Sequence, residues 1–92
     1  QIDIGWAACA AQDVPVLLRT YAKRIETVHV KEFSPTNKAA VVGEGQVKWP
    51  PIFDIIEKET ATQWYIVEQE QFAVGPVESA KGCLDNIRKM GR

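Results

Sequence analysis

Residues 27–33 read TVHVKEF and carry the only histidine of the chain, His29, between two valines. With Ile25 in front, β-branched residues stand at 25, 27, 28 and 30, and the stretch predicts a strand from Ile25 to Phe33. Side chains alternate across a strand, so Ile25, Thr27, His29 and Lys31 share one side while Val28 and Val30 face the other. An imidazole here reads either as a core histidine with a satisfied hydrogen bond or as a ligand or acid–base group at the mouth of a sheet.

Outward from this strand, the same pattern recurs three times: a short apolar stretch, a loop, then a segment with helical spacing. The first strand is expected over Ile2-Asp3-Ile4-Gly5-Trp6, followed by a small-residue loop, AACAAQ. Asp13 is placed to cap a helix with Pro15 in its first turn. Val14, Leu17, Leu18 and Tyr21 then form an apolar stripe ending near Arg24. After the central strand comes a polar connection, SPTNKAAVVGEGQVK, with a sharp turn at Gly43-Glu44-Gly45. Pro50 and Pro51 fit a helix first turn, where a missing N–H costs little, although Lys48 is no N-cap residue. Trp49, Ile52, Phe53 and Ile56 make that helix's buried face. The third strand is Trp64-Tyr65-Ile66-Val67-Glu68. Its helix opens at Pro76, turns Val77, Ala80, Leu84 and Ile87 inward, and ends at Gly91.

Alternation of strand and helix without hairpin turns predicts an α/β chain of three parallel βα units. Helices on one side leave the opposite sheet face bare, with Trp64 and Ile66 on it. A face so apolar calls for cover, from a larger closed sheet or from self-association.

Bulk properties narrow the function. The 92 residues make a single small unit, with a net charge of −1 and acidic and basic residues interspersed. No basic stripe exists to neutralise phosphates, which argues against nucleic-acid partners, and no apolar run is long enough to span a membrane. No signal peptide pattern opens the chain, and the start QIDIGW is not taken as the native one. Cys9 and Cys83 lie far apart without a CxxC spacing and read as small buried hydrophobes in a reducing, cytoplasmic setting.

Parity gathers the chemistry on one side. The helix-facing side of each strand is aliphatic, while Asp3, His29 and Glu68 fall late in their strands on the opposite side. In parallel α/β folds the carboxyl ends of strands hold ligands. An Asp, a His and a Glu there form an N/O ligand set for Mn²⁺, Mg²⁺, Zn²⁺, Co²⁺ or Fe²⁺, and a divalent cation offsets the cost of two confined carboxylates. The structural alternative has Asp3 and Glu68 pairing with Lys31 and arginines, and His29 bonding a backbone carbonyl. Glu44, in the GEG turn, reads as a loop carboxylate rather than a catalyst.

The order, spacing and parity of IDIGW, KRIETVHVKEF, VGEGQVKWPPIF, WYIVEQE and ESAKGCLDNIRKMG resemble the last three βα units of the sugar phosphate isomerase/epimerase family, whose fold is the xylose isomerase-like (β/α)₈ TIM barrel. The resemblance covers residues 1–92 and implies an incomplete barrel, since a full one needs about 250 residues. It implies a metal, Mn²⁺ first among the candidates, held by Glu, Asp, His and Glu from successive strands. Asp3, His29 and Glu68 stand at the last three of these places, and the first glutamate lies outside the chain. The implied activity is proton transfer on a sugar or sugar phosphate through a metal-stabilised enediolate, with Glu68 as one of two catalytic glutamates and little activity expected of the 92 residues alone. Lys31 shares the side of His29, where it can bind a substrate oxygen or phosphate, reach solvent, or pair with Glu68. The chain departs from the family at Trp6, where a histidine is common; Trp6 either walls the substrate pocket or packs. Apurinic endonucleases share the barrel but need more histidines than one, and a degenerate, non-catalytic barrel is the remaining alternative.

Overall fold

The computed structural model describes all 92 residues. Three strands, β1 (Ile2–Asp3), β2 (Thr27–Val30) and β3 (Trp64–Val67), pair in parallel in the order β1-β2-β3. Four helices accompany them: α1 (Ile4–Cys9), α2 (Val14–Thr20), α3 (Trp49–Glu59) and α4 (Pro76–Lys89), with a 3₁₀ turn at Ala22–Arg24. The α/β class, the three parallel strands and their parity match expectation. In β2, Val28 and Val30 are fully buried beneath the helices, while Thr27 and His29 are partly open. The opposite sheet face is bare, with Trp64 68% and Ile66 40% exposed.

Several boundaries differ from the sequence reading. The first strand stops at Asp3, not Trp6, because the Asp3 carboxylate accepts the Trp6 N–H at 2.8 Å and caps a helix that starts at Ile4. The first half of the expected AACAAQ loop is therefore helical. The next helix ends at Thr20 rather than Arg24, and Tyr21, expected inside, is exposed. The central strand is shorter than Ile25–Phe33, since the backbone beyond Val30 leaves the ladder for the loop that ends at α3.

The Trp49, Ile52, Phe53 and Ile56 face of α3 is buried as expected, with Trp49 stacked on Phe53 at 5.3 Å between ring centres. Lys48 makes no capping hydrogen bond. On α4 the inward stripe is Ser79, Cys83 and Ile87; Val77, Ala80 and Leu84 lie on the exposed side. Gly91, at φ 83°, closes α4 as a left-handed C-terminal residue: its N–H reaches Arg88 O, and the Arg92 N–H reaches Ile87 O. Cys83 is buried, and burial pushes its thiol pKa up, which keeps it unreactive. Cys9, expected buried, is exposed.

One carboxylate organises the long connection between β2 and α3. Glu32 is 8% exposed and accepts four N–H groups: Phe33 at 2.9 Å, Gly43 at 2.8 Å, Val47 at 3.1 Å and the Trp49 indole at 2.8 Å. Donors on this scale hold a buried charge at little net cost. The GEG turn serves this clasp. Gly43 has φ 92°, and a Cβ on Gly45 would sit 2.3 Å from Phe33 O and 2.6 Å from Glu32 Oε1. Glu44 itself stays exposed and accepts only the Val41 N–H at 3.4 Å, as a loop carboxylate does.

Replacing Glu32 by Ala strands those donors in a dry site. It should cost about 3–5 kcal/mol of unfolding free energy by urea titration, against less than about 0.5 kcal/mol for Glu44→Ala. Equal losses for the two variants would contradict the clasp.

Candidate functional site

Ladder register assembles the site. Asp3 lies directly opposite His29, and His29 opposite Ile66. The Glu68 N–H donates to Val30 O at 3.3 Å, so the ladder runs just past β3 and delivers Glu68 to the same side, one pair further out. Ligand atoms of Asp3, His29 and Glu68 all lie within 4.8 Å of one another. The three side chains are 18%, 22% and 32% exposed, a group open to solvent on one side only.

Each atom has a defined neighbour. Asp3 Oδ1 is engaged by the α1 cap, which leaves Oδ2 to face His29 Nδ1 at 3.4 Å. Glu68 Oε2 stands 3.1 Å from the same nitrogen. On the far edge of the ring, Gln1 Nε2 lies 2.9 Å from His29 Nε2, and Gln1 Oε1 accepts the Thr27 hydroxyl at 3.1 Å. Gln1 and the two carboxylates thus hold the two ring nitrogens from opposite edges. The Gln1–Thr27 bridge thereby orients the imidazole.

Two carboxylates around one imidazole leave an excess of negative charge. Asp3 raises the Glu68 carboxyl pKa above its usual value through a shared hydrogen bond, and burial and charge repulsion from Asp3 push the same way; His29 and Lys31 oppose the shift. The donor set, one imidazole nitrogen and two carboxylates at a partly dry rim, fits a divalent cation, which would supply the missing positive charge. The structural alternative is not what the geometry shows: His29 bonds neither Lys, Arg nor a backbone carbonyl, and neither carboxylate of the triad pairs with an arginine.

Lys31 pairs with neither Glu68 nor open solvent. Its Nζ lies 3.1 Å from Glu70 Oε2 and 5.8 Å from the centre of the Trp6 ring. Both Lys31 and Trp6 line a cavity of about 310 Å³ beside the triad, so Trp6 walls a pocket even though it stands on α1 rather than on a strand. Two residues of this region escaped the sequence reading. Glu70 follows Glu68 by two positions, and that parity could have found it. Glu32 was legible only through its donors, a Gly-rich turn and an indole needing an acceptor.

Comparison with known proteins gives one kind of relative. The chain is similar to inosose dehydratases of Mesomycoplasma hyopneumoniae: 28% identity over 109 aligned positions, covering 96% of this chain, for the proteins of strains J, 7448 and 232. The chain spans 36% of the length of these curated relatives. No family model and no solved structure matches it. No helix is long and apolar enough to cross a membrane.

The raised Glu68 carboxyl has a sign that can be checked in metal-free buffer. The folded state holds this proton more tightly than the unfolded chain, so stability declines as pH rises from the ordinary carboxylate value through the raised one. Asp3→Asn removes the leading cause while keeping a good N-cap. Carbon-detected NMR should show Glu68 titrating lower in this variant, with the decline flattened. An unchanged Glu68 titration would contradict the assignment.

Proposed function

We propose that these residues form the C-terminal, three-stranded part of a xylose isomerase-like (β/α)₈ barrel enzyme that moves a proton next to the carbonyl of a sugar-like substrate. The observation that carries this reading is the convergence of Asp3, His29 and Glu68 within 4.8 Å at the carboxyl ends of adjacent parallel strands. Two further features support it: the bare sheet face at Trp64 and Ile66, which the remaining strands of a closed barrel would cover, and the similarity to sugar-type dehydratases.

Asp3, His29 and Glu68 would hold the cation, Mn²⁺ by preference and Mg²⁺, Co²⁺ or Zn²⁺ as alternatives, with a fourth ligand from outside these residues. A bound divalent cation supplies charge to stabilise a developing oxyanion on the substrate. Glu68 acts as one of two catalytic glutamates, the other lying outside these residues. One takes the proton from the carbon next to the carbonyl, and its counterpart delivers a proton to the neighbouring carbon or to the opposite face of the same carbon, which isomerises or epimerises the substrate. Trp6 offers an apolar wall, and Lys31 offers an ammonium to a substrate oxygen.

A second reading keeps the same first step. The relatives are named dehydratases, and loss of water from the carbon beyond also begins with removal of the proton beside a carbonyl. Delivery of a proton and expulsion of a hydroxyl are alternative second steps. An apurinic endonuclease is less compatible, because the chain has one histidine and a net charge of −1.

The test is proton exchange in deuterated water, followed by NMR, on a panel of ketoses, their phosphates and keto-cyclitols with the Mn²⁺-loaded intact protein that carries this chain. Exchange at the carbon beside the carbonyl is expected, abolished by chelator and reduced about 10²–10⁴-fold by Glu68→Gln. Isomer or dehydrated product then separates the two readings. Mn²⁺-loaded protein that exchanges no such proton on any member of the panel sinks both.

A further inference from the structure

His29 meets different chemistry at its two ring nitrogens. Nδ1 faces Glu68 Oε2 at 3.1 Å and Asp3 Oδ2 at 3.4 Å. Nε2 faces the Gln1 side-chain amide at 2.9 Å, and the other end of that amide meets the Thr27 hydroxyl at 3.1 Å. Gln1 and Thr27 precede the paired residues Ile2 and Val28, so they form the inward-facing layer directly beneath Asp3 and His29. Thr27 lies opposite Trp64 in the same layer, on the bare face of the sheet. No carboxylate, lysine or arginine reaches Nε2, which leaves Gln1 as its partner.

Proton count links the two nitrogens. A cation gathered by Asp3, Glu68 and the imidazole takes the lone pair of the nitrogen that faces the carboxylates, Nδ1. A neutral imidazole carries one ring proton, so that proton then stands on Nε2, and Nε2 donates. Its partner must therefore accept in the loaded protein. Few side chains follow such a reversal in place. A primary amide does, because turning it over exchanges C=O for NH₂ at the same positions, and the Thr27 hydroxyl accepts or donates as required.

We propose that Gln1 is a positioning residue of the cation site and that its amide turns over when the cation binds. In the metal-free protein the NH₂ group faces Nε2, the carbonyl accepts from Thr27, and the ring proton stands on Nδ1 beside the carboxylates. On loading, the Nδ1 proton leaves to water and Nε2 takes one up from water. The Gln1 carbonyl then accepts from Nε2–H, and its NH₂ donates to the Thr27 hydroxyl. The ring keeps its place, with a partner at each nitrogen in both states. The inference rests on the proposed function for the cation site, and it adds the residue that fits the histidine to it.

Zn²⁺, a diamagnetic member of the candidate set, tests this on the intact protein that carries the chain. The readout is ¹⁵N–¹H NMR of the His29 ring, identified as the signal missing from His29→Ala. At about pH 8.5, where an imidazole is neutral, the metal-free wild type should carry its ring proton on Nδ1, with the Gln1 amide protons close to the ring. Zn²⁺ should move the ring proton to Nε2 and bring the amide protons to Thr27 instead. Gln1→Met is close in size but has no acceptor, and it should lose about 10–100-fold in Zn²⁺ affinity. Gln1→Glu still accepts, so it should bind Zn²⁺ within about threefold of the wild type or more tightly, and should show Nε2–H before metal is added. Equal losses in the two variants, an amide that keeps its orientation, a metal-free wild-type ring already protonated at Nε2, or coordination through Nε2 would overturn the proposal and leave the cation site standing. A His29 ring indifferent to Zn²⁺ would sink the cation site and the proposal with it.

Discussion

Everything at the rim depends on one register, the pairing of Asp3 with His29 across β1 and β2. A slip of one residue would turn each side chain to the other face of the sheet. Asp3 enforces the register from both directions. One of its oxygens starts α1 and ends the strand, and the other faces the imidazole. The same short strand end thus sets the helix start, the position of Trp6 on that helix, and one wall of the cavity. A two-residue strand suffices because β2 supplies the ladder and the buried Val28 and Val30 hold β2 against the helices.

The Glu32 clasp acts on the neighbouring constraint. Lys31 and Glu32 are adjacent and both border the rim cavity, but the Lys31 ammonium pairs with Glu70 while the Glu32 carboxylate is taken up by the N–H groups of the loop. Anchoring Glu32 to the backbone of the GEG turn and to Trp49 ties the strand end to the first turn of α3. The loop after a strand usually moves more than the strand itself. Here it is fixed by charge-assisted bonds, which places Lys31 within reach of Glu70 without a strand ladder beneath it. Gln69 adds a second tie from the segment after β3, donating to Ala39 O and Ala40 O.

Parity was the legible part of the chain. The alternation in TVHV and WYIV announced which side chains face the helices, and it gathered Asp3, His29 and Glu68 before any coordinates did. Boundaries were less legible because local and tertiary signals compete. Ile2-Asp3-Ile4 looks like a strand, yet the aspartate side chain offers the backbone a cap that ends it. The stripes on α4 misled for another reason. Val77, Ala80 and Leu84 form a regular apolar row, but Ser79, Cys83 and Ile87 are the row that meets the sheet. Periodicity counts stripes and cannot say which one this chain's own core takes. Cys9 followed the usual burial of cysteine and was wrong for it, since the capped α1 turns it outward into the cavity wall. Glu32 was legible only through its donors, because a charged residue in a strand-like run gives by itself no hint of four converging N–H groups.

The central claim, that the three groups are a cation site, reduces to whether the imidazole binds the ion. With one histidine in the chain, ¹⁵N labelling of His29 is unambiguous. Pulsed EPR of the Mn²⁺-loaded protein should show a single coupled imidazole nitrogen, absent from His29→Ala. Mn²⁺ taken up with no nitrogen coupling, or uptake indifferent to that substitution, would contradict the account.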